Sequence, residues 1–423
     1  MADHNTRRHF LKQTATTTAA LGTMALPAHV HAAGSDAIRI GVVGCGGRGT
    51  GAVVDALRAE PSAQLVAMGE AFADRAASSL QSLKANETIA DRVRVTPERT
   101  FVGFDAYKGV IDSGIDVVLL ACPPHFRPAH LSYAVAAGKH AFVEKPIAVD
   151  APGVQRVMET CGRAKEKNLS IVSGLCWRYD KGVRATMEKI EEGAIGEIIS
   201  VESSYNAGTL WHRGDNPDWS RMEYQMRNWY YYTWLSGDHI CEQAVHSLDK
   251  TAWLAGDASP VRALGMGGRQ QRTDKKYGHI FDHHTVFYEY ASGLRVYFTC
   301  RQQDNTSTHV DELVLGTKGT AKILKHQIEG ENKWHYRGPK PSMYLLEHEE
   351  LFKGIREGKP INDGHTMCNS TMIAIMGRMC TYTGQTLTWE QATGSQERLG
   401  PEKYQWGDMP EPPVPIPGVT KLV

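Results

Sequence analysis

The sequence has no excess charge of either sign: 47 lysines and arginines balance 47 aspartates and glutamates. Without a basic surplus, nothing electrostatic points to nucleic acid or an anionic membrane as a partner. No stretch of the mature chain has enough consecutive apolar residues to span a bilayer. There is no fixed-period repeat and no low-complexity tract. The eight cysteines are Cys45, Cys122, Cys161, Cys176, Cys241, Cys300, Cys368 and Cys380, and no CxxC pair occurs. That scatter argues against a disulfide framework or a zinc ribbon, and for buried small hydrophobes.

What is present suits two or three domains: 423 residues, of which 41% are hydrophobic. Residues 1–33 read as an address. Thr6-Arg7-Arg8-His9-Phe10-Leu11-Lys12 carries twin arginines, a mildly apolar Ala/Thr-rich segment follows, and Val30-His31-Ala32 offers small residues for cleavage. This resembles a twin-arginine export signal and implies a periplasmic or otherwise exported protein. That route carries folded proteins, often with a cofactor in place.

Ile38 to Val43 is a short apolar run, as expected of a strand buried on both faces. It leads into Gly44-Cys45-Gly46-Gly47-Arg48-Gly49, and a helical pattern with Val53, Val54 and Leu57 follows. In such a turn the first glycine permits the tight bend, the second lets backbone approach a pyrophosphate, and the third lets helix and strand pack closely. A second strand, Leu65 to Met68, ends at Gly69-Glu70. Glu70 is placed to accept the adenosine ribose hydroxyls and would repel a 2′-phosphate, so NAD is expected over NADP. Arg48 and Arg75 would soften that preference. Two further strands end at Cys122-Pro123-Pro124-His125 and at Glu144-Lys145-Pro146. Alternating strands and helices predict an N-terminal doubly wound parallel sheet over residues 34–174, with ligands at the strands' carboxyl ends.

A strand ending in Glu144-Lys145-Pro146, downstream of the glycine turn and Cys122-Pro123-Pro124, resembles the glucose–fructose oxidoreductase/inositol dehydrogenase family (Gfo/Idh/MocA). His246-Ser247-Leu248-Asp249 and Trp253-Leu254-Ala255-Gly256 follow in that family's order. The resemblance covers nearly all of the mature chain. It implies a second, C-terminal α/β domain over residues 175–390 with a large, open, mostly antiparallel sheet, and a homo-oligomer. It casts Lys145 beside the nicotinamide and the reacting hydroxyl, and Arg178, in Trp177-Arg178-Tyr179, near cofactor or substrate. The implied cofactor contacts are Gly44, Gly46, Gly47, Arg48, Gly49, Glu70, Cys122, Pro123, His125, Glu144, Lys145, Trp177 and Arg178.

Removing hydride from a secondary alcohol needs a base near neutral pKa and a cation for the developing alkoxide. His246 is the candidate base and Lys145 the cation. Where the family reads Asp-x-x-x-His, this chain has Glu242 before His246; Glu242 either partners the imidazole or binds substrate. If the segment is one helix, His239, Glu242, His246 and Asp249 share a face. His239-x-x-Glu242-x-x-x-His246 also has metal-ligand spacing, with Asp282-His283-His284 nearby, but no metal is expected because such histidine pairs are common without one. Asp249 is read as a brace. Asn228 to Trp234 is unusually aromatic, suited either to sugar faces or to core packing. Tyr205, Trp229 and Arg178 join Lys145, Glu242 and His246 as candidate substrate ligands.

Helices are predicted over Tyr344–Glu357 and Met367–Thr383, stopped by Gly358 and Gly384. The tail, residues 391–423, reads as an extended arm that wraps a neighbouring subunit or lies loose. The expected activity is NAD-dependent oxidation of a sugar or glycoside hydroxyl. The alternatives are a redox-neutral glycosidase that oxidises, eliminates and reduces again, and a non-catalytic sugar or cofactor sensor.

Overall fold

The computed structural model describes residues 37–422. The export signal expected over residues 1–33 lies outside them. Among the described residues no helix is long and apolar enough to cross a membrane.

Six short strands build the first sheet: β1 (Arg39–Val43), β2 (Gln64–Glu70), β3 (Thr100–Val102), β4 (Val117–Leu120), β5 (His140–Val143) and β6 (Ile171–Ser173). Their order is β3-β2-β1-β4-β5-β6, and every pairing is parallel. Leu119 faces Val42 on one side and Phe142 on the other, so β1, β4 and β5 run in register through the centre. Successive residues feed opposite cores, because strand side chains alternate. Val118 and Leu120 enter one core; Val117 and Leu119 enter the other.

The second core is covered by the helix Gly47–Ala59, through Ala52, Val53, Ala56 and Leu57. The rest of its cover comes from far along the chain. The helix Met343–Arg356 returns to this face and buries Leu351, Phe352 and Ile355 there. The Rossmann unit is therefore completed by a segment well beyond its last strand.

The second sheet has nine strands in the order β14-β13-β12-β11-β7-β10-β9-β8-β15. They are β7 (Ile198–Ala207), β8 (Arg262–Gly268), β9 (His283–Glu289), β10 (Arg295–Gln302), β11 (His309–Gly316), β12 (Gly319–Lys322), β13 (Gln327–Gly330), β14 (Trp334–His335) and β15 (Leu387–Thr388). Only β7–β10 is parallel; the other pairings are antiparallel. Val286, Tyr288, Val296 and Phe298 point into the core, under the long helix Gly364–Thr383. Leu264, Met266 and Tyr297 lie exposed on the opposite face. β8 carries three glycines in seven residues, and this masks its strand pattern in the sequence.

The segment from Asp238 to Asp249 is not one helix. It is a short turn of helix, His239–Glu242, then a break, then the helix Val245–Leu254. Asp238 starts it with a φ of +75°. All eight cysteines are unpaired and buried.

Candidate active site

The glycine turn is shaped by contact on one side and open space on the other. Gly44 has a φ of +95°, and a Cβ there would stand 2.4 Å from the Cys122 nitrogen. A Cβ on Gly49 would stand 1.8 Å from the Gly44 carbonyl oxygen. These two glycines are required by the close packing of the turn. At Gly47 an added Cβ would meet nothing within 4 Å, and at Gly46 only the Arg75 guanidinium at 4.0 Å. The helix Gly47–Ala59 begins with no side-chain cap and no acid in its first turn. Its leading N–H groups therefore open onto a cradle that suits a pyrophosphate.

The cleft in front of this turn encloses about 300 Å³. One wall carries Phe72, Phe104 and Phe126; the other carries Trp211, Met226 and Trp229. Cys122 and Pro123 also line it, as do Glu70 and Arg75. The Glu70 carboxylate accepts from the backbone N–H of Cys45 and of Ala71, each at 2.7 Å. Burial raises its pKa, and those two N–H groups oppose the rise. A ribose diol would meet an acceptor already fixed in place. The residues present thus fit a dinucleotide.

Arg48 reaches from the turn to three carboxylates: Glu144, Glu347 at 2.7 Å and Asp55 at 3.5 Å. Its guanidinium also lies over the Tyr344 ring, 4.7 Å from the centroid. It ties the turn to β5 and to the returning helix Met343–Arg356. Glu144 is buried under that pair. The next residue, Lys145, turns the other way. Its Nζ donates to the Glu242 carbonyl at 2.5 Å and approaches Glu242 Oε1 at 3.2 Å. Lys145–Pro146 is a cis peptide.

His246 sits in the first turn of the helix Val245–Leu254, two residues after the break. Burial, then the charges of Lys145 and Lys250, push its pKa well below the usual range. It is a neutral imidazole at pH 7, and its buried Nδ1 has no hydrogen-bond partner. The structure gives Glu242 to Lys145 rather than to His246. Tyr205, half-buried on β7, feels the Glu242 charge, and burial lifts its phenol to about 12.

The remaining candidates scatter. His239 turns into the core, toward Asp238 Oδ1 at 2.8 Å and Cys300 Sγ at 3.4 Å. Among the described residues the ligand atoms that converge are those of Asp238, His239 and His284, so His239, Glu242 and His246 do not form one group. Asp238 also accepts from Tyr382 at 2.6 Å and from the Phe281 N–H, which makes it the tie between three elements. Arg178 is occupied by Asp249 and Asp257 and lines a separate cavity, not the cleft. Asp249 thus braces Arg178. Trp177 lies under Lys250, 5.1 Å from its ammonium to the ring centroid. His125 bonds Tyr404 at 2.7 Å. Of the aromatic run, Tyr230, Tyr231, Tyr232 and Trp234 are core, and Trp229 faces the cleft.

Sequence reasoning missed Phe72, Phe104, Arg213 and Glu347. Phe72 had a signal, two residues past Glu70. Glu347 had none, because only the fold brings it to Arg48. It also missed Lys250 and Glu312, both fully buried and 3.3 Å apart behind His246.

Residues 38–172 match the model of an oxidoreductase family with an NAD-binding Rossmann fold, and residues 183–322 match the GFO/IDH/MocA C-terminal domain. The chain is 27% identical over 286 residues to inositol 2-dehydrogenase 3 of Saccharopolyspora erythraea, covering 68% of this chain and 73% of that one. It is 26% identical over 216 residues to the 2,7-anhydro-N-acetylneuraminate hydratase of Escherichia coli, covering 51% and 53%. The fold is shared with levoglucosan dehydrogenase in complex with NADH and levoglucosan, at a TM-score of 0.65 and 19% identity, over 84% of this chain and 99% of that one. It is shared too with the aldose-aldose oxidoreductase of Caulobacter crescentus, at 0.63 and 16%, over 83% and 99%.

Proposed function

The chain belongs to the GFO/IDH/MocA oxidoreductases, NAD-binding enzymes that act on CH–OH groups, and from that membership we propose that it oxidises a secondary hydroxyl of a sugar or glycoside with a tightly held NAD. The carrying observation is Lys145, held by Glu242 at the end of β5 with a neutral His246 beside it.

Bound NAD supplies the hydride acceptor. Lys145 supplies positive charge where an alkoxide develops, and Glu242 keeps that charge in place. His246 is uncharged at neutral pH; burial and the nearby lysines make it a weaker base than the near-neutral one expected from the sequence, so its ring nitrogen takes the hydroxyl proton only as the hydride leaves. Tyr205 and Trp229 offer a phenol and an aromatic face to a pyranose. The Arg7-Arg8 pattern supports export by the twin-arginine route to the periplasm, with cofactor bound beforehand. The exposed Leu264, Met266 and Tyr297 face supports a homo-oligomer built on the nine-stranded sheet.

A redox-neutral reaction is the second reading, and one observation favours it: the similarity to a hydratase of an anhydro-sugar, whose named reaction has no net oxidation. Transient oxidation acidifies the neighbouring C–H, so a modest base suffices for elimination.

The test is to denature the purified protein and identify released nucleotide by mass, then to assay a glycoside panel. NAD released, or bound on addition, with keto-sugar formed, supports the first reading. Aryl-glycoside turnover without net NADH supports the second. No nicotinamide released and none bound on addition removes both.

A further inference from the structure

The C-terminal tail packs behind one wall of the dinucleotide cleft. Residues 399–411 have no regular secondary structure, yet they cross from one wall of the cleft to the other. On the Rossmann side, the Leu399 N–H donates to Asp150 at 3.0 Å. Tyr404 stacks on Phe104 with centroids 5.7 Å apart and bonds His125 through its hydroxyl at 2.7 Å. Trp406 packs on Phe104 at 4.5 Å and on Phe72 at 5.4 Å. Phe72 and Phe104 are themselves the wall beside Glu70. Tyr404 and Trp406 therefore back that wall from outside, and each remains more than 40% exposed: 43% and 44%.

On the other side, the tail grips the helix Arg221–Arg227. The Met222 N–H donates to the Gly407 carbonyl at 3.0 Å, and Gln225 Nε2 donates to the carbonyls of Met409 and Pro410 at 3.3 and 3.2 Å. This helix presents Met226 to the cleft. Its last residue makes a second bridge. Arg227 binds Asp74 with two nitrogens, both at 3.0 Å, and its guanidinium lies 4.1 Å from the centroid of Phe72. Two independent ties thus join the walls at the end of the cleft marked by Glu70.

We propose that residues 399–411 and the Arg227–Asp74 pair form a latch that retains the adenosine half of the dinucleotide, with Tyr404 and Trp406 as its cofactor-positioning residues. This rests on the dinucleotide reading above and goes further, from binding to residence. A group leaving the cradle has to part walls that the tail and the ion pair hold together. Aromatic packing and backbone hydrogen bonds anchor the tail without a strand, so its removal leaves both sheets intact. The consequence is chemical. With the dinucleotide held, the two electrons taken from one alcohol carbon return to a carbonyl, that of the same sugar or of a second one. One proton leaves with the oxidation and one is taken up with the reduction.

The test uses the full chain loaded with NADH, chased with excess NAD and followed by nicotinamide fluorescence. Two variants are compared with the parent: Tyr404→Ala/Trp406→Ala, which removes the aromatic backing, and Asp74→Asn, a side chain 64% exposed whose change leaves the core alone. Circular dichroism checks the fold of each. The latch predicts that NADH release speeds up roughly tenfold or more in the aromatic variant and by a smaller factor in Asp74→Asn, since such changes act mainly on dissociation. Release at the parent rate in both folded variants overturns it. A parent that binds no NADH overturns the dinucleotide reading instead, so the two failures are distinguishable.

Discussion

Lys145 Nζ lies 2.5 Å from the carbonyl and 3.2 Å from the carboxylate of the same residue, Glu242. One residue thus fixes the lysine at two points, and it belongs to the short helical turn that precedes His246. The side chains of Lys145 and Glu242 are each only 14% exposed, so their pairing is weakly screened.

Glu242→Gln should keep the carbonyl contact and lose the charge. Lys145→Met loses both. The expected fall in kcat is roughly 10-fold to 100-fold for the first and about 10³-fold or more for the second, in the range that positioned acid–base and charge-stabilising groups supply. NADH affinity, titrated by fluorescence, should change little in either. A Lys145→Met enzyme with near-parental kcat would remove Lys145 from the chemistry.

Gly49→Ala tests the turn. The new Cβ would stand 1.8 Å from the Gly44 oxygen, a contact no rotamer relieves. The strand–helix junction must open, so NADH affinity should fall by about 10-fold or more and the melting temperature should drop, as overpacking costs roughly 1–3 kcal/mol. Gly47→Ala meets nothing within 4 Å and should leave stability near parental. Titration and calorimetry of the pair separate a packing requirement from a general intolerance of the turn.

These sites were unequally legible in the sequence. β1, the glycine turn, Glu70 and Glu144-Lys145-Pro146 lie at strand ends, and buried parallel strands announce themselves as short apolar runs. The covered strands β9 to β11 alternate, and so were visible as well. β12 to β15 are two to four residues long and carry no period. Treating Asp238 to Asp249 as one helix put His239 on the face of Glu242. The break at Gln243-Ala244 instead sends His239 to Cys300. Arg178, expected near cofactor or substrate, faces Asp249 and Asp257. No spacing rule reports such pairs, since their partners lie more than seventy residues away. The tail likewise read as an arm that wraps a neighbouring subunit or lies loose, whereas its aromatic residues pack behind the wall of this chain's own cleft.

Arg48 gives a pH-dependent prediction. Its guanidinium neutralises the buried Glu144 and Glu347, and burial with the Glu144 charge already lifts the Glu347 pKa well above normal. Arg48→Met leaves both acids unpaired, at a cost of about 3–5 kcal/mol where they are ionised. A carboxyl with a raised folded pKa is comfortable below its unfolded value and loses stability as pH rises through the folded one. The melting-temperature deficit of Arg48→Met against the parent should therefore widen from pH 5 to pH 8. A deficit independent of pH would mean that Arg48 acts by packing on Tyr344 alone.

Lys250 and Glu312 are both fully buried, 3.3 Å apart, and Lys250 also donates to the His246 carbonyl at 3.0 Å. Burial pushes Glu312 up to about 7, against the pull of Lys250. Because that folded pKa is raised, the stability linked to Glu312 is fully present at acid pH and is lost as pH rises through about 7. Lys250→Met removes the counter-charge, so its deficit against the parent should grow across the same window. Glu312→Gln leaves Lys250 without a counter-charge beneath His246, and should cost about 3–5 kcal/mol at pH 8, where Glu312 is mostly ionised, and less at pH 6. The double variant Lys250→Met/Glu312→Gln leaves no buried charge, and should recover most of that loss, because residues in direct contact couple rather than add. Denaturant unfolding of the four proteins at pH 6 and pH 8 closes the cycle. If the double loss equals the sum of the two single losses, the pair is not coupled and each residue acts through packing alone. If the cycle couples and the double variant also shifts the kcat pH profile, the pair acts on His246 as well, through the carbonyl that Lys250 holds.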